Sequence, residues 1–152
     1  MSPNLKAFLD MIAYSEGTDN GRQPTKNHGY DVLVGGSLFE GYADHPRKLV
    51  NIRAGLASTA AGRYQLLARY FDAYKKQLGL PDFSPESQDA IAIQQIKECK
   101  ALPDIEAGYI DIAISKVRNI WASLPNAGYG QHENNINVLL SAYQKAGGTI
   151  NS

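Results

Sequence analysis

The sequence predicts an α+β domain, mainly helical, with a small antiparallel β-sheet inserted after the first helix. Three observations carry that reading. An apolar stripe at helical spacing opens the chain, a glycine-rich and polar stretch from residue 18 to about 57 interrupts the pattern, and helical periodicity then returns almost to the end.

The first helix is capped by Ser2 and opened by Pro3, with Leu5, Phe8, Leu9 and Ile12 at i, i+3, i+4 and i+7, and it should end near Gly17. In the interrupted stretch, YDVLVGGSLFEGY places two β-rich runs around Gly35 and Gly36, the pattern of a hairpin with a two-residue turn. Beyond Ser58, Tyr64, Leu67, Phe71, Tyr74 and Leu78 share one helical face, and Gly79 stands where a helix would stop. Ser84 and Pro85 open another helix. Ile110, Ala113, Ile114, Val117, Ile120, Trp121 and Leu124 form a wide stripe suited to a core-facing helix, and Ile136, Leu139, Leu140 and Tyr143 repeat it before Gly147 and Gly148. With no repeat, linker or low-complexity tract, residues 1–152 read as one domain, whose ligand site is expected in a cleft between sheet and helices.

Composition narrows the function. The chain is 43% apolar and 20% charged, the balance of an ordinary globular domain. Fifteen basic and fifteen acidic side chains cancel, which argues against nucleic acid and against a membrane surface as partners but leaves an uncharged polymer open. Cys99 is the only cysteine, so no intramolecular disulfide can form, and it reads as a small core hydrophobe in a protein made in a reducing cytoplasm. The opening MSPNLKAFLDMI has neither a long apolar run nor a small-residue cleavage site, so no export signal is expected.

Glu16 is the first candidate for chemistry. It lies at the end of an amphipathic helix, where the partial negative charge of the helix terminus favours a protonated carboxyl. A carboxylic acid near neutral pH is what a departing glycosidic oxygen requires. Pattern alone is a weak signal, since any surface glutamate near a helix end would look similar. Tyr64 and Gln65, in Gly62-Arg63-Tyr64-Gln65 at the expected start of a helix, suit the flat apolar faces and hydroxyl edges of a sugar, or else a core tyrosine and a solvated amide. Residues 123–131, SLPNAGYGQ, have the composition of a flap over a polar ligand or of a plain surface connection. His28, His45 and His132 are scattered and read as solvated side chains, not metal ligands, and no cofactor motif is present. Cysteine and serine nucleophile motifs are likewise missing from the sequence.

Taken in order, the segments KAFLDMIAYSEGTDNGRQ, NHGYDVLVGG, DHPRKLV, AGRYQLL, QLGLPDFSPESQDAIAIQQIKE and NIWASLPNAGYGQ resemble the lambda-type phage endolysins, from about residue 5 to residue 148. The resemblance implies a lysozyme-like fold and a lytic transglycosylase cleaving the β-1,4 bond between N-acetylmuramic acid and N-acetylglucosamine. It makes the glutamate of the SEG motif, Glu16, the catalytic acid/base, and it sets Asp31, Tyr64, Gln65, Tyr129 and Gln131 along the glycan groove. Tyr14 stands where the family would have a tryptophan. In the related lysozymes of T-even phages an aspartate follows the catalytic glutamate by nine positions, whereas here that position is Thr25.

A transglycosylase needs no second carboxylate, because the muramic acid 6-hydroxyl closes onto the anomeric carbon and Glu16 serves as acid and then as base. The alternatives are a hydrolase of the same bond, with Asp31 or Asp19 assisting water, and a non-catalytic peptidoglycan-binding module. A monomer without cofactor is expected, held in the host cytoplasm and reaching the cell wall once a holin, not itself a contact partner, has opened the membrane.

Overall fold

The computed structural model describes residues 1–128 and 133–151. The chain divides into two compact units, one made of residues 1–17 and 93–152 and the other of residues 18–92. Among the described residues it carries six α-helices and one two-stranded antiparallel sheet, and the fold class is α+β, as the sequence predicts.

The first unit is helical. Its opening helix, α1 (Pro3–Glu16), begins as expected, the Ser2 hydroxyl accepting from the Leu5 N–H. Gly17, with φ 78°, closes it by donating to the Ala13 and Tyr14 carbonyls. The stripe of Leu5, Phe8, Leu9 and Ile12 is buried, and Ala7, Met11 and Ala13 are buried with it, so α1 is enclosed on more sides than a surface helix. It packs against α4 (Leu102–Ala107), a short helix not anticipated from the sequence, and α6 (Ile136–Lys145), while α5 (Ile110–Val117) joins α4 to the same core. The long stripe expected to end at Leu124 is one helix only as far as Val117. Beyond Arg118 the chain proceeds by turns that still deliver Trp121 and Leu124 to the core, at 2% and 0% exposure. Apolar spacing therefore marked burial correctly there but not helix length. On α6, Leu139 and Tyr143 are buried, and Asn135 caps it through the Asn137 N–H.

The second unit holds the sheet. The strands are β1 (Val50–Arg53) and β2 (Leu56–Ser58), paired Val50 to Ser58 and Asn51 to Ala57, with an irregularity before the Arg53–Leu56 pair and Gly55 at φ 76° in the turn. The hairpin expected around Gly35 and Gly36 is instead a single bridge, Val32 to Leu38, and both glycines have positive φ in the loop that it closes. Leu33 bridges Ala61 on its other side, and Ala61 bridges Leu66, so residues 31–39 are spent on an irregular web, buried at Asp31, Val32 and Leu33, instead of regular strands.

The helix expected from Tyr64 starts later, as α2 (Ala68–Leu78), capped by Gly79 as predicted. Residues 62–65 form a tight turn in which Gly62 has φ 84° and Gln65 φ 54°. These left-handed φ values keep a helix from starting there, and only glycine fits at position 62, where a Cβ would overlap the Gln88 amide and stand 2.9 Å from Phe83 Cζ. The third helix of the chain, α3 (Pro85–Glu98), opens at Pro85 as expected. Leu33, Ala61, Leu66, Phe71, Phe83 and Ile91 make the core of this unit.

Candidate active site

Glu16 ends α1, so the Gly17 cap turns the chain away and leaves the carboxyl at the helix terminus. The side chain is partly buried. Loss of water around it lifts its pKa from 4.5 to about 7, against the opposing pull of hydrogen bonds from the Ser123 hydroxyl and backbone N–H. The elevated acid expected from the helix dipole is thus present, with burial as its principal cause.

Ser123 is brought to Glu16 by the buried Trp121 and Leu124 on either side of it. Its hydroxyl donates to Glu16 Oε2. The same hydroxyl lies 2.7 Å from Ser15 Oγ, and Asn134 Nδ2 donates to Ser15 Oγ at 3.1 Å and to the Ser15 carbonyl at 3.0 Å. Asn134 N–H also donates to the Ser123 carbonyl at 2.7 Å. Glu133, next to it, accepts from the backbone N–H groups of Asn126 and Gly128, both at 3.0 Å, and these bonds hold its carboxyl below the ordinary range. The segment read as a flap is therefore tied down over residues 123–128. Tyr129 and Gln131, and His132 beside them, lie outside the described residues. Ser15 and Asn134 were not singled out from the sequence, because no local spacing connects positions 119 residues apart.

The remaining candidates belong to the second unit. Asp31 is buried, with the Thr25 hydroxyl donating to one carboxylate oxygen at 2.5 Å and the Lys26 N–H to the other at 3.0 Å. Thr25, which occupies the position of the absent second carboxylate, is thereby the residue that fastens Asp31. Tyr64 is buried as well, and its hydroxyl donates to Asp89 Oδ1 at 2.6 Å, where Tyr30 donates at 2.9 Å.

The Arg63 guanidinium lies over both tyrosine rings, 5.4 Å from that of Tyr30 and 5.5 Å from that of Tyr64, and reaches Asp19 at 3.4 Å. Burial and the nearby Asp89 charge hold the Tyr30 hydroxyl up at about 12. Gln65 is partly exposed, and its amide donates to the Val32 and Gly62 carbonyls.

Two readings of other side chains change. His45 is buried, not solvated, with Nε2 2.8 Å from the Leu66 carbonyl and Nδ1 accepting from the Arg47 N–H, and burial depresses its pKa. Cys99 is only partly buried. No group of three or more potential metal ligands occurs among the described residues.

The model of the endolysin family matches residues 6–150. The chain belongs to the endolysin family. It is 66% identical to the endolysin of Escherichia phage lambda over 145 residues, covering 95% of this chain and 92% of that one. With the endolysin of Escherichia phage P2 it shares 54% identity over 156 residues, covering 95% and 93%.

Its structure superposes on bacteriophage lambda lysozyme complexed with a chitohexasaccharide with a TM-score of 0.98 at 63% identity, over 99% of this chain and 98% of that one. A second lysozyme structure from the same phage gives 0.94 at 62% identity over the same shares. This endolysin accordingly has the lysozyme-like fold that its motifs imply.

Proposed function

We propose that this endolysin is an enzyme acting on peptidoglycan as a lytic transglycosylase, through residues 1–152 as one catalytic domain. In this reading it cleaves the β-1,4 bond between N-acetylmuramic acid and N-acetylglucosamine and leaves 1,6-anhydromuramic acid ends. The observation that carries the proposal is Glu16, a partly buried carboxyl at a helix terminus with a pKa of about 7. A group balanced there is available as acid to protonate the leaving oxygen and, once ionised, as base toward the muramic acid 6-hydroxyl. The 6-hydroxyl is carried by the substrate itself, so closing the anhydro ring balances without water and without a second protein carboxylate.

Asp31, the obvious partner for a hydrolytic water, supports this choice by its engagement: both carboxylate oxygens already accept hydrogen bonds from Thr25 and Lys26. Asp19 is engaged by Arg63. In this reading Asp31, Tyr64, Gln65, Tyr129 and Gln131 border the glycan, Asp31 and Gln65 also holding the backbone groups of Lys26, Val32 and Gly62. The chitohexasaccharide bound by the lambda lysozyme relative supports a β-1,4-linked amino sugar polymer as the ligand class.

The enzyme would work as a monomer, accumulate in the host cytoplasm and reach the wall after holin-mediated release. No described helix is long and apolar enough to cross a membrane. Mass spectrometry of muropeptides released from purified peptidoglycan tests the reaction. Products one water lighter, with anhydro ends, are expected, and reducing muramic acid ends would make the enzyme a hydrolase.

A further inference from the structure

The hydrogen bonds behind Glu16 have a direction fixed by chemistry. The Asn134 amide nitrogen can only donate, so Ser15 Oγ must accept from it. A Ser15 hydroxyl that accepts from Asn134 is free to direct its own proton at Ser123 Oγ, 2.7 Å away. Ser123 then directs its proton at Glu16 Oε2. Each hydroxyl accepts from behind and donates forward, the arrangement in which successive hydrogen bonds polarise one another. When Glu16 is protonated, the last two links can invert: the carboxyl donates to Ser123 Oγ, Ser123 turns its proton toward Ser15 Oγ, and the Ser15 proton rotates away from Ser123 while its oxygen still accepts from Asn134. In both states Ser123 keeps two partners.

We propose that Ser15, Ser123 and Asn134 form a directed hydrogen-bond chain that positions the Glu16 carboxyl and follows its proton between the acid and base halves of the reaction. Ser15 and Asn134 act only through Ser123 and are positioning residues. The proposal rests on the reading of Glu16 as the acid/base. The geometry suits the device: Ser15 is 7% exposed on α1, directly before Glu16, and Asn134 is secured to the Ser15 and Ser123 carbonyls as well, so the donor at the head of the chain does not depend on a single bond.

Several charged groups on the neighbouring elements are engaged elsewhere. Lys6 pairs with Asp10 on α1, Lys116 of α5 pairs with Asp104 of α4, Glu106 accepts from Ser2, and Glu133 faces the Asn126 and Gly128 N–H groups. The chain, made of two hydroxyls and an amide, acts on Glu16 by hydrogen bonding.

The test is a carbon-13 NMR titration of the Glu16 carboxyl together with pH profiles of kcat/KM on peptidoglycan, for the wild type, Ser123→Ala, Ser123→Thr, Ser15→Ala, Asn134→Ala and the double variant Ser15→Ala/Ser123→Ala. Losing the Ser123 hydroxyl removes a donor to the carboxylate, so the midpoint should rise by about one pH unit, the equivalent of one charge-assisted hydrogen bond. Ser123→Thr, which keeps the hydroxyl, should restore it. Ser15→Ala and Asn134→Ala should move it the same way by a smaller amount, and Ser15→Ala should move it no further once Ser123 is alanine.

An unmoved midpoint in folded Ser123→Ala overturns the proposal, as does a Ser15 effect of equal size in both backgrounds. Because the titration reads Glu16 directly, these outcomes stand apart from failure of the acid/base reading itself, which would appear as full activity in Glu16→Gln.

Discussion

A glutamate whose pKa is raised in the folded protein makes that protein less stable when it ionises, and Glu16→Gln should expose the effect. Below pH 4.5 the carboxyl is protonated in both folded and unfolded chains and carries no penalty. Between 4.5 and about 7 the unfolded chain releases the proton while the folded one retains it, so stability falls as pH rises. Above about 7 both are ionised and the whole penalty stands. The interval from 4.5 to about 7, at about 1.4 kcal/mol per pH unit, gives roughly 3 kcal/mol.

Glutamine cannot ionise, so the variant should gain on the wild type by that amount between pH 4.5 and 8. Any fixed difference in packing or hydrogen bonding to Ser123 adds a constant and leaves the slope untouched. Urea unfolding followed by the fluorescence of Trp121 measures it, since this is the only tryptophan, is buried, and belongs to the same compact unit as Glu16. With a slope near 2 kcal/mol per molar urea, the midpoint difference should grow by about 1.5 M across the range. A difference that stays flat with pH, or that declines, refutes the assignment of a raised pKa to Glu16 and with it the physical basis of the acid/base role.

The same substitution should abolish lysis, lowering kcat/KM on purified peptidoglycan by about a hundredfold or more through lost acid catalysis, while circular dichroism stays unchanged. In the wild type the alkaline limb of kcat/KM should have its midpoint near 7, as the required acid ionises, and a turbidity assay in overlapping buffers reads it. Asp31→Asn should lower activity far less than Glu16→Gln, yet destabilise by about 1–3 kcal/mol, because an amide group would confront the Thr25 hydroxyl or the Lys26 N–H where a carboxylate accepted from it. Equal activity loss in the two variants would restore a two-carboxylate mechanism. Gly62→Ala should destabilise by about 2–5 kcal/mol in urea unfolding, from a left-handed alanine and from overlap with Gln88 and Phe83. A near-neutral result would mean that the 62–65 turn adapts easily.

The sequence by itself determined most of what is local. Ser2, Pro3 and Gly17 bound α1, Gly79 closes α2, Pro85 opens α3, and the apolar spacing of α6 marks its buried face. Each of these signals acts within a turn or two of helix, so a few neighbouring residues suffice to read it. Collinear motifs brought out the family and, with it, Glu16.

Tertiary structure decided the rest. Apolar periodicity placed Trp121 and Leu124 in the core but could not say that the helix stops at Val117, since burial does not require helix. Tyr64 read either as a sugar platform or as a core tyrosine because exposure is invisible in sequence, and it is the distant Asp89 that, with Tyr30 beside it, holds it in the buried position. The hairpin was displaced from Gly35-Gly36 to β1 and β2 because residues 32–34 find partners on both sides in the folded unit. The acid of Glu16, finally, is set less by its place on α1 than by burial and by Ser123, a residue 107 positions away that only folding brings within reach of the carboxyl.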